Sequence, residues 1–431
     1  MKVIELNKNF DRKLKDIRPS IGGIDQNIVN TVSKIVEDVR RNGDSALFKY
    51  TRRFDKFDLN TKNIKITGKE IKKAKDEITT KIRNHLKISA RRIREYQKSL
   101  LPKERTYRDR LGNELGFAVR PIDRVGIYVP GGKAAYPSTV LMTAIPALVA
   151  GVKEIAIATP APNGELNSVV LAAASISGVS EIYRIGGAQA ISALAYGTDS
   201  VPKADKIVGP GNIYVALAKK IVYGEVDIDC IAGPSEVLIL SDGTGKPEWI
   251  AADLLAQAEH DEMAVPLLVC TSINFAKHVI KEVKKQLKDL QRRDIAAEAI
   301  KRNGRAFIVK SIDDAIKVSN AVAPEHLELC IKSPKSVLKK IKHAGAVFLG
   351  HMSAEAFGDY IAGPSHVLPT GGAARFSSPL SVYDFIKMPS VISVSQKGFN
   401  KLSGSVIDLA YSENLEAHAL SVKVRMKKFN N

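Results

Sequence analysis

The chain has 431 residues, of which 45% are hydrophobic and 26% charged. That is the balance of a folded globular protein, and the length is too great for one ordinary core. No apolar run reaches the roughly 18 residues of a membrane span. The opening Met1-Lys2-Val3-Ile4-Glu5-Leu6-Asn7-Lys8 lacks the apolar centre of a secretion signal. A cytoplasmic protein with no membrane partner is expected. The net charge of +19 is uneven, since residues 1–100 hold 26 Lys and Arg against 13 Asp and Glu. No zinc-finger, homeodomain or RNP pattern accompanies that excess. It is therefore read as solvated helix faces rather than a nucleic-acid surface. The three cysteines, Cys230, Cys270 and Cys330, are far apart and adjoin apolar stretches, which reads as buried reduced thiols. They lack the paired spacing of a thiolate zinc site, so a metal here has to be held by His, carboxylate or amide groups.

Residues 27–54 and 68–100 read as amphipathic helices, with Gly43-Asp44 interrupting the first. Near residue 112 the pattern changes to short apolar runs alternating with helical stretches. Val125–Val129, Glu154–Ala158, Glu181–Ile185 and Lys206–Val208 read as strands. Helices are expected at Ser138–Ala150, with Ser138 as N-cap, at Leu166–Ile176 and at Ala188–Ala195. The rhythm then restarts. Glu236–Leu240, Val265–Cys270, Arg305–Val309, His326–Cys330 and Gly345–Leu349 read as strands, with helices from Pro247 to His260, Phe275 to Leu290 and Pro334 to His343 between them. Two successive parallel sheets covered by helices follow from this alternation. Residues 381–431 read as two or three helices that need another surface to pack on. The expected fold is thus α/β, with two Rossmann-like, incompletely doubly wound domains at 111–235 and 236–377. A mainly helical region (1–110) precedes them and a helical tail (378–431) follows.

No G-x-G-x-x-G follows a strand. Instead Val129-Pro130-Gly131-Gly132, Gly186-Gly187-Ala188-Gln189, Gly209-Pro210-Gly211-Asn212 and Ala232-Gly233-Pro234-Ser235 lie at or near strand ends. Carboxyl strand ends are where open α/β sheets bind ligands, and glycine loops feeding helix N-termini suit a pyrophosphate. Gln257 and His260, three apart on an expected helix, share a face and can offer two ligands to one metal. The ordinary alternative is a solvated helix end. Glu325-His326 sits just before an apolar strand, where adjacent side chains point opposite ways. An imidazole is the natural proton acceptor for an alcohol, although an exposed loop pair is the commoner outcome for such a dipeptide. Asp359, His366, Glu413 and His418 stand in further polar segments that decide nothing alone.

Together these segments resemble the histidinol dehydrogenase family. The resemblance is carried by V-G-I-Y-V-P-G-G at 125–132, G-G-A-Q-A at 186–190, V-G-P-G-N-I-Y-V at 208–215 and A-G-P-S-E-V at 232–237. It continues in L-A-Q-A-E-H-D at 255–261, A-P-E-H-L-E-L at 323–329, A-G-A-V-F-L-G at 344–350, the long run G-D-Y-I-A-G-P-S-H-V-L-P-T-G-G-A-A-R-F-S-S-P-L-S-V-Y-D-F at 358–385, and E-N-L-E-A-H-A at 413–419. Departures are mild: Cys230-Ile231 stands where the family more often has Met-Pro, and Ser365 where Asn is common.

The resemblance implies Zn2+ held by Gln257, His260, Asp359 and His418, and a catalytic pair Glu325 and His326. It implies substrate contacts at Ser235, His326, His366 and Glu413 beside the metal ligands Gln257, His260, Asp359 and His418. NAD contacts fall on Tyr128, Gln189 and Asn212. It further implies a homodimer whose tail completes a neighbouring site, and oxidation of L-histidinol to L-histidine with two NAD. A relative acting on a different alcohol should lose the contacts at His366 and Glu413, which are present.

Overall fold

A computed structural model describes residues 1–6, 25–131 and 135–426; Gly132 of the first glycine loop lies outside them. The chain forms two units, one of Met1–Leu100 with Ile122–Phe385, the other of Leu101–Pro121 with Ile386–Asn431. Among the described residues no helix is long and apolar enough to cross a membrane.

The first unit holds two parallel sheets. One has five strands in the spatial order Glu181–Tyr183, Glu154–Ala158, Arg124–Tyr128, Lys206–Val208 and Asp227–Ile228. The other has six, in the order Lys2–Glu5, Arg305–Ile308, Val265–Cys270, Glu236–Ser241, His326–Cys330 and Ala346–Leu349. Apart from the added edge Lys2–Glu5, both sheets are wound alike: the first strand lies centrally, the next two step one way and the last two the other. Each sheet therefore reverses direction beside its first strand, and in doubly wound folds that crevice is where ligands enter.

Full burial of the central strands Arg124–Tyr128, Glu236–Ser241 and His326–Cys330 explains why they read as largely apolar runs. Along Glu236–Ser241 the side chains alternate. Val237 and Ile239 enter a core with Leu254, Phe275, Val279 and Ile300, whereas Leu238 and Leu240 enter another with Ile316, Val318 and Leu327. In the five-stranded sheet, Ala156, Ala158 and Ile207 pack with the helices Gln26–Asp55, Gly187–Tyr196 and Ile213–Val222. The small alanines let those helices approach closely. Ser192 Oγ donates to the Val36 carbonyl at 2.9 Å, which fixes the first of these helices on the second.

Most expected elements are present, with instructive differences. Gln26–Asp55 continues through Gly43, whose φ of 50° and ψ of −129° make the kink that the sequence read as a break. Ser138 is not an N-cap: Tyr136 holds that position and Pro137 takes the first helical turn, where its missing N–H costs nothing. Lys2–Glu5 is a strand, not part of a helical region. The helix from Pro247 ends at Ala258, two residues before His260.

The second unit is also not helical throughout. Arg105–Arg108, Glu114–Phe117 and Ser390–Ser393 form an antiparallel sheet, Arg120–Pro121 pairs with Ile386–Lys387, and the helices Gln396–Ser412 and Glu416–Met426 follow. Ser390–Ser393 is exposed at every position, so it lacks the buried alternation that marks a strand in sequence.

At the strand starts of the five-stranded sheet, buried Arg124 clamps two neighbours. Its guanidinium donates to Glu154 at 2.7 Å and to Glu181, tying three strands. Burial alone would raise the Glu181 carboxyl, but Arg124 outweighs it and the net shift is downward. A depressed folded-state value means stability that is present above the ordinary carboxylate range and lost as pH falls through it. Arg124→Met should therefore destabilise the protein by about 2–3 kcal/mol at pH 7. Urea unfolding should show that deficit shrinking below pH of about 4.

Candidate active site

The crevice of the five-stranded sheet opens between the ends of Arg124–Tyr128 and Lys206–Val208. The Tyr128 hydroxyl accepts the Gly187 N–H at 3.1 Å at the start of the helix Gly187–Tyr196. Burial pushes its phenol up to about 12, so it stays a hydroxyl with a proton to donate. Gly209 has φ of 111°, and a Cβ there would collide with the Tyr128 carbonyl oxygen, so the two strand ends meet only because this residue is glycine. Asn212 caps the helix Ile213–Val222, its side-chain oxygen accepting Tyr214 and Val215 N–H at 3.1 and 3.2 Å. Its amide N–H groups point elsewhere. Gln189 is buried, and its Oε1 has no partner among the described residues. A buried acceptor without a donor fits a ligand that supplies one.

A buried ion pair fixes this crevice. Lys219 donates to Asp229, and also to the Gly209 carbonyl at 3.0 Å. Asp229 in turn accepts the N–H groups of Gly209 at 2.7 Å and Cys230 at 2.6 Å. The pair therefore holds the loop Gly209–Asn212 and the start of the segment that runs through Ser235 to the second sheet. That segment joins the carboxyl end of one sheet to the amino end of the other. Gly233 N–H donates to Thr370 Oγ1 at 2.5 Å, and Gly371 N–H to Glu236 at 3.1 Å, closing it from the other side.

At the amino ends of Glu236–Ser241 and His326–Cys330 the chain gathers acids and imidazoles away from water. This is the opposite edge from the usual crevice of a doubly wound sheet. Glu325 and His326 are both buried rather than an exposed loop pair. Nor do they point apart, because Glu325 precedes the strand and its carboxylate comes within 3.7 Å of His326 Nδ1. Glu236 N–H anchors Glu325 at 2.8 Å. His326 Nδ1 lies 3.2 Å from the Glu236 carbonyl, which fixes Nδ1 as the protonated nitrogen and leaves Nε2 as an acceptor. Nε2 faces Asp359 at 3.9 Å. Burial lowers His326 to about 3 and His366 to about 4, so both rings are neutral. His366 Nδ1 lies 3.0 Å from the Asp359 carbonyl and Nε2 3.3 Å from Thr139 Oγ1.

One ligand atom from each of His260, Glu355 and Asp359 lies within 4.8 Å of the others. Gln257 adjoins them: its amide donates to Glu355 and accepts Glu236 N–H at 3.0 Å. His260 remains one turn from Gln257 although the helix has ended, because its N–H still bonds the Gln257 carbonyl at 3.3 Å. Burial raises Asp359 to about 6 and Glu236 to about 7, and holds Glu355 and Glu325 well above the usual carboxylate range. Carboxylates kept this far from water call for a cation, and the imidazole, carboxylate and amide donors present suit a divalent one.

Sequence reasoning passed over Glu355 and Glu236. Glu355 stands four residues before Asp359 on the helix Glu355–Tyr360, a spacing that places both on one face and could have revealed it. Glu236 directly follows Ser235 and begins a strand. Gln257, His260, Glu325, His326, Asp359 and His366 are brought together in the first unit. Glu413 and His418 belong to the second, Glu413 capping the helix Gln396–Ser412 and His418 near the start of Glu416–Met426, and both are exposed there.

A glycine-lined crevice on one sheet, joined by a short segment to a buried neutral imidazole beside a group that could hold a metal ion on the next, is the arrangement of an α/β enzyme. Comparison with known proteins narrows that class. Residues 22–426 match the family model for histidinol dehydrogenase. The histidinol dehydrogenase of Syntrophotalea carbinolica is 51% identical over 402 residues, 93% of each chain. That of Aquifex aeolicus is 49% identical, again over 93% of each. The crystal structure of histidinol dehydrogenase from Elizabethkingia anophelis superposes with a TM-score of 0.95 at 38% identity, covering 100% of this chain and 99% of that one. The chain belongs to the histidinol dehydrogenase family.

The Lys219–Asp229 pair can be tested apart from catalysis. Lys219→Met leaves a buried carboxylate uncompensated and should cost about 3 kcal/mol in denaturant unfolding. Adding Asp229→Asn should recover more than half of that, a coupling that a double-mutant cycle reads directly.

Proposed function

We propose that this protein oxidises L-histidinol to L-histidine with zinc and two NAD, passing through the aldehyde. The observation that carries the reading is His326, a buried neutral imidazole whose Nε2 faces the His260–Glu355–Asp359 group, in a chain of this family. Gln257, His260 and Asp359 would hold the zinc ion with His418. Bound zinc supplies a positive charge that offsets the buried carboxylates and a point of attachment that orients the substrate's amine and imidazole. Bound NAD, at Tyr128, Gln189 and Asn212, supplies the acceptor for the two hydrides that a four-electron oxidation releases.

The chain's own groups handle protons. His326 Nε2 takes the hydroxyl proton as the carbinol carbon loses its hydride. The resulting imidazolium is steadied by the Glu236 carbonyl at Nδ1 and by the nearby Glu325 and Glu355 carboxylates, 3.7 and 3.6 Å away. Glu325, anchored on Glu236 N–H, takes a proton from water as it adds to the aldehyde, and the hydrate anion so formed loses the second hydride to give the acid. Ser235, His366 and Glu413 position the substrate. Burial keeps bulk water from the reactive aldehyde.

Glu413 and His418 come, in this reading, from a second copy of the chain. The support is their exposure on a small unit that also exposes Tyr107, Ile392, Leu409 and Leu420, the apolar residues an obligate partner would cover.

Three outcomes test this. Histidinol should be turned over in preference to other amino alcohols and to sulfonated diols, and absence of histidinol oxidation overturns the reading. His326→Ala should lower kcat by about a hundredfold or more with metal content unchanged, whereas Asp359→Asn should lose metal by elemental analysis. Separately inactive His326→Ala and His418→Ala proteins, refolded together in equal amounts, should regain about a quarter of wild-type activity if sites are shared across a dimer. No regain would place each site within one chain.

A further inference from the structure

Asp55 keeps a carboxylate where one is hard to keep. It closes the helix Gln26–Asp55, the end at which the helix dipole disfavours an anion. It is half-buried, its Oδ2 is buried with no partner, and it forms no ion pair among the described residues. The two preceding arginines are engaged elsewhere, Arg52 with Asp58 and Arg53 over the Phe54 ring. What faces it is the backbone N–H of Ala161, just past the carboxyl end of the strand Glu154–Ala158.

That position borders the crevice described above. Glu154–Ala158 pairs with Arg124–Tyr128, and the Asp55 charge reaches the Tyr128 phenol. Phe57 packs into the same core as Tyr128, Tyr183 and Ala188 and lies against Gly164, which holds residues 55–57 on this edge. Two buried oxygens, Asp55 Oδ2 and Gln189 Oε1, thus lack partners along this edge of the sheet, where the Tyr128 hydroxyl meets Gly187. Both are acceptors. A ligand that satisfies them must bring donors and no negative charge. On a dinucleotide those donors are the ribose hydroxyls and the carboxamide, and an acid at a strand end is a recurrent partner of a ribose diol. Here it would come from outside the sheet, on the N-terminal helix.

We propose that Asp55 is a cofactor-recognition residue, its carboxylate accepting hydrogen bonds from the ribose hydroxyls of NAD and opposing a phosphate at the same place. The inference rests on the reading of the crevice as the NAD site.

The experiment is equilibrium titration of the purified full-length protein with NAD and with NADP, for wild type, Asp55→Asn and Asp55→Ser, alongside thermal melting without cofactor. NAD should bind about tenfold more weakly to both variants. NADP should bind no more weakly than to wild type, so the preference for NAD shrinks by the same factor. The cofactor-free melting temperature should hold or rise, because a buried unpaired charge has been removed. NAD affinity within about twofold of wild type in both variants overturns the assignment. So does a parallel loss of NAD and NADP with a falling melting temperature, which marks Asp55 as structural. Failure of wild type to bind NAD overturns the cofactor reading, and this inference with it.

Discussion

Carboxyl groups held out of water are the constraint around which the second sheet is arranged. Glu236, Glu325, Glu328 and Glu355 are all buried, and burial raises every one of their carboxyl groups. Among the described residues no arginine or lysine is set against them in an ion pair. Backbone amides hold them instead: Gly371 N–H on Glu236, Glu236 N–H on Glu325, and Glu355 N–H on Glu328. An amide can orient a carboxylate without neutralising it. The cluster therefore keeps its demand for positive charge, one that a metal ion or a cationic substrate would answer. Its geometry is set beforehand by strand and helix starts, so little reorganisation accompanies binding.

The two sheets share one winding but use opposite edges. On the first, the carboxyl ends meet at Tyr128 and Gly209 and make a crevice with helix N-termini around it. On the second, the amino ends carry Glu236 and His326. The segment from Asp229 to Ser235 spans between these edges, so both working faces are anchored to one short piece of chain. Lys219 and Asp229 sit at its root and fix the glycine loop and the link together. His366 and Ser365 provide a second tie, bonding to Thr139 and to the Met142 carbonyl on the helix Pro137–Ala150.

The parallel strands were legible because burial on both faces demands apolar residues without interruption. Glu154–Ala158, Lys206–Val208, Val265–Cys270 and His326–Cys330 have the bounds that their apolar runs suggest. Lys2–Glu5 and Ser390–Ser393 were not legible, since partial or full exposure removes the pattern and only pairing with distant segments makes them strands. The chemistry was harder. Gln257, His260, Glu325, His326, Asp359 and His366 are weak signals singly, because nothing local says that segments a hundred residues apart meet. Resemblance joined them; spacing did not. Burial was misread at Glu325-His326, where polar residues in a connection suggest solvent and the surrounding tertiary structure overrides that. Glu355 and Glu236 escaped because a glutamate beginning a helix or a strand has an ordinary explanation, and only their unpaired burial sets them apart.

The strand Lys2–Glu5 bears on how the molecule comes into being. Its backbone partner is Arg305–Ile308, with Lys2 opposite Arg305 and Glu5 opposite Ile308. A chain emerging in order from the ribosome makes one of these segments some three hundred residues before the other. The five-stranded sheet can wind up in the interval, since all its strands lie between. The first segment has to wait, and closing so long a loop is slow compared with local pairing. Until it arrives, Arg305–Ile308 presents a bare edge to other chains. Completing this edge of the six-stranded sheet thus recruits a segment made long before its partner, and the same pairing seals the edge against aggregation.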